Sequence, residues 1–191
     1  MRLTTDDLKK DVEILLDDLK RNYEIPSALN SVKFSFKIIL VALVMQFFLS
    51  ALDFIIWGGE YRGGCREAII IYCIGLFGVL LLPSVVLLIA CHSPVMIMSC
   101  LSDEARRKSI LLKVAKNKFK YALGFAIVAN LVVGVCFALN ESAMIAFMGG
   151  SWFVIILISI SIYNMMMSPY LTPAVVSGLS KVKELLSATP K

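Results

Sequence analysis

The sequence is poor in charged residues and contains a single histidine. Asp, Glu, Lys and Arg make up 17% of the 191 residues, and His92 is the one histidine. The five cysteines form no C-x-x-C pair, and no G-x-S-x-G, H-E-x-x-H or phosphate-binding loop motif is present. Metal sites and the common hydrolase and nucleotide sites use such clustered side chains. We therefore expect no catalytic residues, no cofactor site and no metal site, and predict that the protein is not an enzyme.

Long apolar segments dominate the chain. Hydrophobic residues account for 59% of it and the mean hydropathy is +0.82, values that exclude a disordered chain and disfavour a soluble domain. A helix needs about 20 apolar residues to cross a bilayer, and it satisfies its own backbone hydrogen bonds there. The sequence predicts an all-α integral membrane protein with four transmembrane helices. These spans are Phe34–Trp57, Ala68–Ala90, Tyr121–Leu139 and Ala143–Met167.

The basic residues are unevenly distributed around these spans. Most of the 19 Lys and Arg residues lie before the first span, between the second and third spans, or after the fourth. The turns on the other side contain only Arg62 and Arg66. Because basic residues mark the cytoplasmic side of membrane proteins, both termini are predicted to be cytoplasmic. The net charge of +5 reflects this orientation, and we expect no nucleic acid binding.

The N-terminal segment, 1–33, is predicted to form an amphipathic helix over 4–23. Its apolar residues recur at helical spacing, and Thr4 with Asp7 three positions later resembles a capping box. The polar face is about as acidic as it is basic, so electrostatic attraction to anionic lipid is expected to be weak. We expect a partner helix or the cytoplasmic loop to cover the apolar stripe, with docking on the membrane surface as the alternative.

Two further segments are predicted to lie on the cytoplasmic side. Within the membrane domain 34–167, the basic loop 102–120 is predicted to begin at Ser102 as a helix N-cap and to continue as one helix into the third span. Residues 168–191 are predicted to form a short interfacial helix, since apolar residues after Pro173 recur every three or four positions.

Charged and aromatic side chains outside the spans are the candidate residues for partner recognition. The turn Gly58–Glu67 contains two glycine pairs, which permit a tight reversal of the chain, and a plain hairpin is the alternative interpretation. The basic loop is the second candidate surface. The candidates are Glu60, Tyr61, Arg62 and Arg66 in the turn, and Arg106, Arg107 and Lys108 in the loop.

Four polar side chains lie inside the predicted spans. Polar groups are costly in lipid, so they mark either hydrogen bonds between helices or a functional path. Helix packing is the favoured interpretation, and a solute or proton path is the alternative. Asp53 lies near the outer end of its span, where we expect it to reach the interface or to pair with Arg62 or Arg66. The other three are Gln46, Asn130 and Asn164.

Three further features of the spans concern their packing and their ends. Lys37 lies near the inner end of the first span, and its long stem is expected to carry the charge to the headgroups. Trp152 is expected at the outer interface, where amphipathic rings lie. Gly149 and Gly150, near the start of the fourth span, allow another helix to approach closely.

The layout resembles that of small inner-membrane proteins encoded by bacterial mobile elements. The stretch Glu13–Lys20, followed by Ile25, Pro26 and Ser27 and then by the first span, is similar to the entry-exclusion proteins of F-type conjugative plasmids. The resemblance implies residence in the recipient's bacterial inner membrane. It also implies recognition of a donor-cell conjugation protein, the mating-pair stabilisation protein, so that redundant DNA entry is blocked. It transfers no functional residue position by position.

Two other functions agree with the same features. Immunity proteins against pore-forming bacteriocins are also small, basic and four-helical in outline, but they recognise the toxin within the membrane. A small transporter or channel subunit would use the amides of Gln46, Asn130 and Asn164. Membrane lipid is an expected partner in each case, and the sequence leaves the formation of a homo-oligomer open.

Overall fold

The computed structural model describes residues 4–21, 28–57, 64–140 and 144–187, and the regular structure of these residues is helical throughout. Short 3-10 helices precede and follow the sixth α-helix. Four helices are long and apolar enough to cross a membrane, which confirms the predicted all-α class and its four candidate spans. The α-helices are α1 (Thr5–Arg21), α2 (Ala28–Trp57), α3 (Gly64–Ser99), α4 (Asp103–Lys108), α5 (Ile110–Asn140), α6 (Met148–Met167) and α7 (Pro173–Ser187).

The four long helices pack as a bundle around one apolar core. In this bundle α2 lies against α3 and α5, and α6 lies against the same two helices. The core is filled by large side chains from α2, α3, α6 and the 3-10 helix Met144–Phe147, among them Leu49, Val79, Ile145 and Met148. Many large apolar side chains point outward instead, as expected where lipid rather than water is the solvent.

Trp152 belongs to this core, and the interfacial position predicted for it is wrong. Its side chain is only 1% exposed. The neighbouring Ser151 donates a hydrogen bond to Asn130, which lies ten residues, or about 15 Å, before the end of α5. The indole is therefore deep in the bundle, where its large apolar surface packs in the core.

The connection between α3 and α5 differs from the predicted single helix. Ser102 is the N-cap of α4, as expected, and its hydroxyl accepts a hydrogen bond from the Ala105 amide at 3.2 Å. The helix ends at Ser109, whose ψ of 126° is not helical, and α5 begins at the next residue. Two helix starts thus lie seven residues apart, and each has a serine immediately before it.

The helices outside the candidate spans form a layer at one end of the bundle. This cap layer consists of α1, α4, α7 and the first turns of α5, with α1 in contact with all three others. The apolar stripe of α1 is buried there by the chain's own loop and C-terminal helix, so the structure favours the loop over the membrane surface as its cover. The predicted C-terminal helix is present as α7, and it packs on α1.

Candidate functional site

Asp11 of α1 holds the N-terminus of α5. Its carboxylate is buried and accepts three hydrogen bonds: from the Ser109 hydroxyl at 2.7 Å, the Ile110 amide at 3.0 Å and the Leu111 amide at 2.8 Å. The first amides of a helix have no partner within the helix, and its N-terminus carries partial positive charge. A carboxylate from another helix accepts hydrogen bonds from these amides and also compensates the partial positive charge. Asp11 therefore acts as the cap of α5, a candidate span that begins almost one hundred residues later.

Asp18 makes the equivalent contact with the start of α4. Its carboxylate accepts hydrogen bonds from the Ser102 amide at 2.9 Å and from the Ser102 hydroxyl at 2.8 Å. The same hydroxyl caps α4, so Asp18 orients the capping group rather than capping the helix directly. Asp11 lies seven residues before Asp18, just as Ser102 lies seven residues before Ser109. The equal spacing lets α1 bind both serines in antiparallel order and fixes its register on the loop.

Apolar contacts continue the same interface. Leu15 and Leu19 pack on Cys100 at the end of α3, where the thiol is fully buried. Burial disfavours the thiolate and raises the pKa of Cys100 above its ordinary value. On the other side, Val12 lies directly against Gly178 of α7, where a larger side chain would collide with it. Both edges of α1 are thus occupied by its own chain.

The three basic candidates of the loop lie on α4 but have different surroundings. Arg106 is partly buried and pairs with Asp103 at 3.1 Å. Lys108 is exposed and pairs with Glu104 at 2.6 Å, and this hydrogen bond lowers the pKa of the Glu104 carboxyl. Arg107 is exposed, and the described part of the chain offers it no ion pair. Arg107 and Lys108 therefore present positive charge on the outer surface of the cap layer.

Of the four candidates in the predicted turn, the structure describes only Arg66. Glu60, Tyr61 and Arg62 lie outside the described residues. Arg66 is exposed in the first turn of α3. Arg66 is thus separated by the length of α3 from Arg106, Arg107 and Lys108, and the described residues do not bring it together with them.

Gln46 and Asp53, the two polar candidates on α2, are buried inside the bundle. Gln46 is fully buried and its amide donates to the Ile145 carbonyl at 3.4 Å. The absence of a side chain at Gly75 makes room for this contact, because a Cβ there would lie 2.8 Å from the Gln46 nitrogen. Asp53 is also fully buried and accepts a hydrogen bond from the Tyr72 hydroxyl at 2.9 Å. The described residues thus give it a tyrosine of α3 as a hydrogen-bond partner, and its burial shows that the predicted exposure at the interface is wrong. Arg62, one of the two arginines predicted to pair with it, lies outside the described residues.

The two asparagines have different positions. Asn130 is fully buried, donates to the Ala126 carbonyl at 2.9 Å and accepts from the Ser151 hydroxyl at 3.1 Å. Both ends of its amide are engaged, which favours the packing interpretation over a solute path at this residue. The side chain of Asn164 is exposed on α6. The structure therefore does not bring it into a polar cluster with Gln46 and Asn130.

The close approach of α3 and α6 depends on one glycine of each helix. A Cβ placed on Gly149 would lie 2.6 Å from the Gly78 Cα, a contact with backbone that cannot move aside. The adjacent Gly150 has nothing within 4 Å of such a Cβ. Only the first glycine of the pair therefore serves the close approach expected from the sequence.

Sequence reasoning missed the two aspartates that hold α1. Both lie at the edge of the apolar stripe of α1 rather than on its opposite face, and that position is the signal that could have indicated a buried role. No group of His, Cys, Asp or Glu suited to a metal ion occurs among the described residues. Comparison of the chain with protein-family models, curated proteins and solved structures gives no match.

Proposed function

We propose that this protein resides in a bacterial inner membrane, with both termini in the cytoplasm, and blocks redundant conjugative DNA entry without catalysis. It would do so by recognising the donor's mating-pair stabilisation protein. The observation that carries the proposal is the docking of α1. Glu13–Lys20 is the stretch that resembles the entry-exclusion proteins. Within this stretch, Asp18 and two leucines contact the basic loop and the residues just before it. The stretch is therefore part of a surface formed jointly by α1 and α4, whose helices are held together before any partner binds.

The outward side of that surface is densely charged. Glu13, Asp17 and Lys20 are exposed on α1, and Arg107 and Lys108 are exposed on α4. Complementary charges accelerate association and exclude wrong partners, because like charges placed together cost several kcal/mol. An ordered surface also avoids part of the entropy cost of binding. These properties suit a protein that distinguishes one donor protein from its relatives, which requires a difference in affinity.

The proposed orientation is supported by the distribution of charge between the two ends of the bundle. The cap layer contains α1, α7 and the basic loop, and these segments contain most of the Lys and Arg residues outside the spans. The two other connections between the predicted spans contain only Arg62 and Arg66 in the sequence. By the positive-inside rule the cap layer belongs in the cytoplasm. The donor protein would then be recognised at the inner face of the recipient membrane.

The test measures plasmid transfer into recipient cells that produce this protein. Production of the unmodified chain is expected to lower the transfer of an F-type plasmid, and Arg107→Glu is expected to restore transfer by about tenfold or more, as expected for a charge opposed to its partner. Arg66→Glu makes the same change of charge at the opposite end and is expected to retain exclusion. Amounts in the membrane fraction are compared for all three chains.

Two results would contradict the proposal. Undiminished transfer into well-producing cells would exclude the function itself. Loss of exclusion by Arg66→Glu, with full exclusion by Arg107→Glu, would move the recognition surface to the external turn.

Immunity against a pore-forming bacteriocin is the second candidate, and the outer face of α3 is the observation that favours it. Ile70, Ile74, Phe77 and Leu81 leave a shallow apolar groove there. Helices of a toxin within the membrane could pack in such a groove, because association in lipid depends on close packing. Survival of cells that carry this chain under a set of pore-forming bacteriocins separates this function from exclusion.

A further inference from the structure

An apolar crevice lies between α2 and α5 in the part of the bundle that spans the membrane. Its volume is about 230 Å³, with Ile38 and Val41 on one wall, Leu123 and Ile127 on the other, and Trp152 between them. It extends along α5 from Phe119 to Ile127, which corresponds to about 12 Å of helix. For comparison, an apolar cavity of about 150 Å³ takes up benzene.

The crevice is elongated along α5 and accessible from the outer surface of the bundle. Val41 on its wall is 44% exposed, so the crevice is not sealed by the bundle. A gap between packed side chains forfeits their dispersion contacts. In the hydrocarbon region the molecules available to fill the gap are acyl chains rather than water. The length of the crevice, about 12 Å along α5, suits a segment of one extended acyl chain.

The polar group at the rim is a lysine. Lys37 lines the crevice at the end nearest to the start of α2, and its side chain is exposed. The described residues place no carboxylate in an ion pair with it. Two further exposed lysines lie one helical turn closer to the cap layer on the same sides of their helices: Lys33 precedes Lys37, and Lys116 precedes Phe119. The rim therefore attracts a negatively charged headgroup.

We propose that this crevice binds one anionic phospholipid of the surrounding bilayer, with an acyl chain along Leu123 and Ile127 and the phosphate at Lys37. Basic pockets between spans on the cytoplasmic side are typical sites for anionic headgroups. The crevice makes the site specific, since transfer of a chain from lipid into protein brings no hydrophobic gain and the fit must decide where it lies. Lys37, whose charge is predicted from the sequence to reach the headgroups, is then part of a lipid site.

The experiment uses Trp152 as the reporter. Trp57 and Trp152 are the two tryptophans of the chain, so Trp57→Phe leaves only the one that lines the crevice. The protein is reconstituted in phosphatidylcholine vesicles, and brominated phosphatidylglycerol or brominated phosphatidylcholine is added at equal mole fractions. Because Trp152 is otherwise buried, bromine on a chain quenches its fluorescence efficiently only from within the crevice.

We expect quenching by both lipids, with about a fivefold preference for phosphatidylglycerol, the factor that corresponds to about 1 kcal/mol from one lysine near the surface. Lys37→Gln is expected to lower the preference, since Lys33 and Lys116 remain, and to leave quenching by phosphatidylcholine unchanged. Lys181→Gln removes the same charge from an exposed position on α7 and is expected to retain it. Unchanged quenching by phosphatidylcholine also shows that the variants are folded.

Three results would overturn the proposal. If neither lipid quenches the fluorescence of Trp152, no acyl chain enters the crevice. Equal quenching by the two lipids in the single-tryptophan protein would exclude a headgroup site. An equal loss of preference in Lys181→Gln would assign the effect to the overall charge of the cap layer rather than to Lys37.

Discussion

Asp11→Asn is expected to weaken the docking of α1 on the rest of the cap layer. The buried carboxylate accepts three hydrogen bonds, and both of its oxygens are used. An amide offers one acceptor oxygen and turns its NH2 group toward donors, so at least one buried N–H or O–H loses its partner. Leaving such a donor unsatisfied costs about 1–3 kcal/mol, and loss of the negative charge at a helix N-terminus costs about 0.3–1 kcal/mol more. We take about 2 kcal/mol as the expected loss.

Cys100 reports this opening. Its thiol is fully buried beneath Leu15 and Leu19 of α1, so an alkylating reagent reaches it when α1 moves away. A loss of about 2 kcal/mol increases the open population by about thirtyfold, and the alkylation rate increases by the same factor when opening and closing are fast. Peptide mass spectrometry of protein treated with N-ethylmaleimide distinguishes this thiol from the other cysteines.

Glu13→Gln is the matched control, because it removes the same charge from an exposed position of the same helix. It is expected to leave the alkylation rate of Cys100 within about twofold of the unmodified protein, as is usual for surface substitutions. The reasoning would be refuted if Asp11→Asn left the rate unchanged. It would also be refuted if both variants raised the rate equally, since α1 would then be held by its charge and not by the capping contacts.

Three other predictions concern packing and pH. Gly149→Ala is expected to destabilise the bundle by about 1–3 kcal/mol, because its methyl group meets the backbone of α3, whereas Gly150→Ala is expected to be neutral in the same denaturation assay in detergent. A double-mutant cycle with Asn130→Ala and Ser151→Ala is expected to give a coupling energy of about 0.6 kcal/mol, and a value of zero would show that the hydrogen bond does not contribute. Alkylation of Cys100 is expected to have its midpoint at a higher pH than a cysteine peptide, because burial raises the thiol pKa. The neutral thiol then favours the docked state below the ordinary pKa, and that contribution falls as the pH rises above it.

The helices could be predicted because one property determines them. Each span needs enough apolar length to cross the bilayer, and length and composition are readable without any knowledge of neighbours. The start of α4 was readable for a similar reason, since Ser102 is a local N-cap. The break at Ser109 could not be predicted from the sequence, because the new helix that begins there is capped by Asp11, a residue from a distant part of the chain. Local propensity alone favours continuing the helix.

The polar residues of the spans show the same division. That Gln46 and Asn130 face other helices follows from the cost of polar groups in lipid, and the structure buries both. Their hydrogen-bond partners could not be predicted in the same way. These partners are the Ile145 carbonyl and the Ser151 hydroxyl, whose positions depend on how α6 and the 3-10 helix before it align with the other helices. The same register places Gly149 rather than its neighbour against α3.

The docking of α1 also changes how specificity is to be mapped. An exchange of residues 4–23 between this chain and a relative moves Asp11 and Asp18, but it leaves behind the serines to which they bind. If the segment taken from the relative lacks either carboxylate, the docking of α1 is weakened. A loss of function then reflects the loss of this contact rather than a change of partner. An exchange that moves 4–23 together with 102–120 keeps each aspartate with the serine that it binds. Only that paired exchange separates recognition from docking, and the alkylation rate of Cys100 shows in each chimaera whether α1 is in place.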